Sequence, residues 1–147
     1  MSSEEARAIA DARLTETFDS RGYADPRPAL RDRMRSMRAA DPTSFDAAAR
    51  RYEESVVRAI GAGADPLEAW IEYGRFLGEL GSGGGRVLCV DETGRASPRT
   101  DEIAGRDLIL FVPEDARATV LPLACPAAPS PAQRAAYDLL VLRRLTL

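Results

Sequence analysis

The run Gly81-Ser82-Gly83-Gly84-Gly85 divides the chain into two parts with different hydrophobic periods. Before the run, apolar residues recur at spacings of three and four, as they do on one face of a helix. After the run, they form short unbroken stretches rich in Val, Ile, Leu and Phe, as in buried strands. The change of period predicts an α+β fold: an N-terminal antiparallel helical bundle, then a small antiparallel sheet and a C-terminal helix.

Helix-start signals are frequent in residues 1–80. Three Asp-Pro pairs each precede an apolar-periodic run: Asp25-Pro26, Asp41-Pro42 and Asp65-Pro66. An Asp at the N-cap accepts hydrogen bonds from unpaired amides, and Pro at the first helical position has no amide to leave unpaired. A further helix begins at Ser2, which has capping-box spacing with Glu5, and ends at Gly22. We therefore expect four helices with short connections.

Strand-like stretches and one more helix follow the glycines. The stretches are 86–90, 108–112 and 118–123. Pro122 suits an edge strand, and Gly74 on the preceding helix could admit a neighbouring helix closely. The polar residues 91–106 predict a surface loop or a poorly ordered excursion. Ser130 and Gln133 form a capping box that starts the last helix.

These signals predict a division into 1–80, a Gly-rich hinge at 81–85, and 86–147, with the two halves packed as one unit. The alternative is that the glycines cradle a phosphate. A dinucleotide loop has a third glycine where this chain has Arg86, and it follows a strand and opens a helix. Here the order of elements is reversed, and a P-loop needs a Lys that the chain lacks. We interpret the run as a hinge.

Missing residue types restrict the chemistry. The chain contains no His, Lys or Asn, and all 20 basic residues are Arg. A GC-rich, bacterial genome would produce this bias. Without His and Lys, the usual general base, the commonest metal ligand and Schiff-base chemistry are lost. We expect a non-enzymatic protein with no cofactor.

One metal alternative stays open, because three carboxylates share helical spacing at Glu68, Glu72 and Glu79. Without His, such a site would need all-oxygen ligands and would suit Mg²⁺, Ca²⁺ or Mn²⁺. Exposed glutamates are the simpler interpretation. Cys89 and Cys125 lie among apolar neighbours, which suits buried free thiols in a reducing cytoplasm. The formal charge is −3, and no window is long and apolar enough to predict a membrane span.

A cationic face is predicted on the second helix. Its residues are four apart or three apart: Arg27, Arg31, Arg35 and Arg38. Arg binds carboxylates and phosphates bidentately, so this face could meet an acidic partner or could pair internally. Residues 26–40 and 42–61 could also form a helix-turn-helix. Glu53 and Glu54 on its second helix would oppose phosphates, so nucleic-acid binding is not favoured.

Aromatic residues offer a second candidate surface. Trp70 suits the core, whereas Tyr73 and Phe76 flank the apolar stripe of the fourth helix and could line a ligand pocket or an interface. The edge strand around Val120 could pair with a partner. From these features we expect a protein–protein interaction module: an adaptor, assembly factor or subunit that binds another protein or itself. The alternative is a ligand-sensing or nucleic-acid-associated regulator.

Overall fold

The structure is a computed structural model that describes residues 2–37, 42–98 and 106–146. The described residues form five helices and four strands: α1 (Ser3–Arg21), α2 (Arg27–Met37), α3 (Pro42–Gly61), α4 (Pro66–Ser82), β1 (Gly85–Val90), β2 (Ala96–Pro98), β3 (Leu108–Pro113), β4 (Leu121–Ala124) and α5 (Pro131–Thr146). The α+β class predicted from the change of period is therefore confirmed.

The helix ends follow the capping signals. The Ser2 hydroxyl accepts a hydrogen bond from the Glu5 amide, and Gly22 ends α1 in the left-handed region at φ 75°. Asp65 accepts from the Leu67 amide at the start of α4. Local hydrogen bonding thus determines where these helices begin and end. Asp41, the predicted cap of α3, lies outside the described residues.

The four strands form one antiparallel sheet in the order β2-β1-β3-β4. β4 lies at an edge, as Pro122 predicts, but it spans Leu121–Ala124 and starts later than the predicted 118–123. Strand β2 corrects one prediction, because it lies within residues 91–106, which were predicted to form a surface loop or a poorly ordered excursion. Its three residues are exposed and pair with β1, so it has no buried face to leave an alternating apolar pattern.

α4 is the helix that joins the two halves of the fold. A methyl group at Gly74 would lie 2.5 Å from Leu123 Cδ2, and one at Gly78 would collide with the Phe111 ring. The close neighbour predicted at Gly74 is therefore a strand of the sheet and not another helix. Two glycines one turn apart let α4 lie directly on β3 and β4.

The sheet is covered on both faces. One face shares a continuous apolar core with α1 to α4, which includes Phe18, Trp70 and Phe111. The other face carries a second core around Val90 and Leu110, against which α5 packs. The β half therefore packs against the helical half through the first of these cores.

The segment that connects α4 to β1 is shorter than the predicted hinge 81–85. α4 continues through Ser82, and β1 begins at Gly85, which lies against Phe111. Gly83 caps α4 by donating its amide to the Glu79 carbonyl, and Gly84 accepts from the Glu114 amide. The glycine run therefore lies at the C-terminal end of a helix, where backbone carbonyl groups are exposed. Phosphates instead bind at helix N-termini, where backbone amides are exposed. The hinge flexibility of the run stays a prediction.

Candidate functional site

A pocket lies between α1, α2, α3 and α4, and we call it the helical pocket. Its volume is about 160 Å³. Most of its wall is apolar and buried: Ala10, Leu14, Leu30, Val56, Ile60 and Trp70. Because four helices contribute to this wall, its shape depends on the packing of the whole helical half.

Charged side chains surround the opening of the helical pocket. Arg27 donates to both carboxylate oxygens of Asp25, at 2.9 Å each, and its guanidinium lies 5.7 Å from the Phe18 ring centroid. Hydrogen bonds from Arg27 lower the pKa of Asp25. Asp11 lies 3.9 Å from Arg27, and Glu53 pairs with Arg7 across the α1–α3 interface. These charges of the opening are paired within the protein.

Arg31 differs from them. It lies on α2, lines the helical pocket and is exposed to solvent. Among residues 2–37, 42–98 and 106–146, no carboxylate lies within ion-pair distance of its guanidinium. Arg31 therefore places a guanidinium without an ion-pair partner among the described residues at the edge of a largely apolar pocket.

Of the aromatic side chains on α4, Trp70 and Tyr73 line the helical pocket, and Phe76 lies outside its lining. Trp70 is buried, as predicted, and its indole N–H donates to the Leu123 carbonyl at 2.8 Å. Tyr73 is also buried; burial, and then the nearby Glu53 carboxylate, raise the pKa of Tyr73 to about 12. Phe76 is half-buried and stacks on Tyr52, with ring centroids 4.3 Å apart.

The arginines of the predicted cationic face lie in different environments in the structure. Arg27 is largely covered and held by Asp25, so it does not belong to an exposed surface. Arg35 is 73% exposed and lies 3.8 Å from Asp32. Arg31 and Arg35 are the described members that face solvent, whereas Arg38 lies outside the described residues.

Val120 requires a correction. It is 2% exposed and packs in the second core, so its side chain is not available to a partner. Val120 immediately precedes β4, and its side chain packs in the core on one face of the sheet, whereas Leu121 and Leu123 pack in the core on the other face. The edge prediction therefore applies to the backbone of β4 and not to Val120.

Two of the three glutamates of α4 are held by an arginine that was not identified from the sequence. Arg75 donates to Glu72 at 2.9 Å and to Glu79 at 2.8 Å. Its helical spacings of three and four from these acids are the signal that could have identified it. Within the described ranges, no three His, Cys, Asp or Glu side chains are arranged to hold a metal ion. Cys89 and Cys125 are free and half-buried.

A further surface, which was not predicted from the sequence, lies on α5. Leu139 is 62% exposed and Leu142 is 56% exposed, and we call this pair the α5 apolar face. The opposite side of α5 buries Gln133 and packs Ala136 and Leu140 on the sheet. An unbroken apolar stretch at 139–142 indicates a buried helix but does not show that two of its residues face outward.

The fold and these surfaces define an α+β protein with a pocket in its helical half and an apolar face on its last helix. Comparison with protein-family models, curated proteins and solved structures finds no match to this chain. Among the helices of the described residues, none has the length and apolar character required to cross a membrane.

Proposed function

We propose that this chain is a protein–protein interaction module, an adaptor, assembly factor or subunit without enzymatic activity, that acts through the α5 apolar face. The observation that supports the proposal is the exposure of Leu139 and Leu142 on a helix whose other side already covers the sheet. Large adjacent apolar side chains on a surface are typical of an interaction site.

The occupant we propose for the α5 apolar face is a second copy of the chain. Ala135, Leu139 and Leu142 are spaced by four and three, which is the spacing of a seam between two helices. A two-fold axis makes such a seam self-complementary, because each copy presents the same patch. In an antiparallel pair, Leu139 of one copy packs beside Leu142 of the other.

A dimer of this kind would leave the helical half free for a further partner. Arg31 and Arg35 lie on α2, far along the chain from α5, and face solvent. An acidic protein would suit these two cations because guanidinium groups bind carboxylates in a fixed, bidentate geometry. We further infer a cytoplasmic protein, since the free thiols suit a reducing compartment. The absence of Lys and Asn, which suits a GC-rich genome, supports a bacterial origin.

Sedimentation equilibrium of the purified chain tests the proposed self-association. We expect a reversible monomer–dimer equilibrium, weakened at least about tenfold in the Leu139→Glu variant. Burying one Leu contributes about 1.5–3 kcal/mol, and each copy contributes one Leu139 to the contact.

Leu80→Glu is the matched control. Leu80 is 40% exposed near the end of α4, so the same substitution changes charge and apolar surface away from α5. This variant should dimerise like the unchanged chain. A chain that stays monomeric at every concentration, or a dimer weakened equally by both substitutions, would contradict the proposal.

A further inference from the structure

We propose that the helical pocket binds a small aromatic monocarboxylate, with the carboxylate on Arg31 at the mouth and the ring against the apolar wall. This inference goes beyond the proposed protein-binding function and does not depend on α5. It assigns a ligand class to a site formed entirely by the four N-terminal helices.

The acidic group of the ligand is inferred from the ion pairs of the charged side chains that line the helical pocket. Arg27 is neutralised by Asp25, and Glu53 is neutralised by Arg7. Asp11 is 62% exposed and lies at the edge of contact with Arg27. Among the described residues, Arg31 is the lining cation with no carboxylate within ion-pair distance, so its guanidinium is the group that can pair with an acidic group of a ligand.

The size and shape of the ligand follow from the wall. A dry apolar cavity of roughly 150 Å³ accommodates benzene, and the helical pocket measures about 160 Å³. Trp70 and Tyr73, which contact each other with ring centroids 5.9 Å apart, contribute two aromatic rings to the pocket lining. One six-membered ring is therefore of a size and character that this pocket can accept.

The polar tips of the two aromatic residues fit this arrangement. The indole N–H of Trp70 is already bonded to the Leu123 carbonyl, so Trp70 offers its ring and not a donor. The Tyr73 hydroxyl is protonated at neutral pH, as any phenol is, and burial extends its protonated range to higher pH by raising its pKa. A protonated phenol does not repel a carboxylate, as a phenolate would.

Benzoate is the probe for the test. The chain has a single Trp, and it lines the pocket, so Trp70 fluorescence and its indole N–H resonance report on occupancy. We expect a saturable change in both signals with benzoate. Benzamide, which has the same ring without the charge, should bind at least about tenfold more weakly.

Arg31→Gln should weaken benzoate binding at least about tenfold and leave benzamide binding unchanged. Arg35→Gln removes a charge from the same helix outside the pocket lining and should bind benzoate normally. Leu139→Glu should also bind normally, which separates this inference from the self-association proposal. No saturable signal up to about 10 mM benzoate, which corresponds to less than about 3 kcal/mol of binding free energy, would overturn the inference. Equal binding of benzoate by Arg31→Gln and the unchanged chain would also overturn it.

Discussion

Two glycines on one helix determine how closely the halves of the molecule approach. Gly74 meets Leu123 and Gly78 meets Phe111, and both neighbours are fully buried. Helix propensity alone disfavours Gly inside α4 by about 1 kcal/mol relative to Ala. Packing of the helix against the sheet outweighs that preference, because any side chain at these positions would separate the two layers.

Gly78→Ala should lower the free energy of unfolding by about 1–3 kcal/mol, since the added methyl group overpacks a filled contact with Phe111. Urea denaturation followed by circular dichroism measures the change. Gly61→Ala is the matched control, because no atom lies within 4 Å of a methyl group at that helical glycine. Gly61→Ala should leave stability unchanged or raise it. Equal losses in both variants would show that packing on the sheet is not the cause.

At the scale of elements, α5 is fixed on the sheet by one buried amide. Gln133 completes the capping box with Ser130, and its Nε2 donates to the Val90 and Arg106 carbonyls at 3.0 and 2.8 Å. The side chain is 1% exposed. The capping role was predictable from the sequence spacing. The contacts with Val90 and Arg106 were not, because they depend on where the sheet places residues distant in the chain.

Gln133→Glu separates the two roles, since a carboxylate can still cap the helix but cannot donate to two carbonyls. We expect the free energy of unfolding to fall by at least about 2 kcal/mol at neutral pH. Amide hydrogens of α5 should exchange faster. The deficit should shrink at low pH, where the introduced carboxyl is protonated and regains a donor. Arg134→Gln, an exposed neighbour on the same helix, should change neither measurement; an equal loss there would contradict this account of α5 anchoring.

At the scale of the whole molecule, one continuous core links the helical half to the sheet. Helix caps, the α+β order and the edge position of Pro122 were predictable, because each depends on neighbouring residues or on hydrophobic period. Strand β2 was not, since its three residues are all exposed. The α5 apolar face was not predictable either, and neither was the choice between internal and external pairing of Arg27, which the sequence left open. Both depend on which surfaces the fold covers, and sequence periodicity alone does not contain that information.

Disulfide trapping between α5 helices tests the proposed contact most directly. Leu139→Cys and Leu142→Cys variants, mixed under mild oxidation, should form a disulfide between copies, because an antiparallel pair brings these positions within the roughly 7 Å that the bond requires. Mixing Leu80→Cys with Leu142→Cys should give no more than the background from Cys89 and Cys125. Efficient trapping of the first mixture is the result that we predict. Trapping at background level, at concentrations where the chain is dimeric, would show that α5 is not the contact surface.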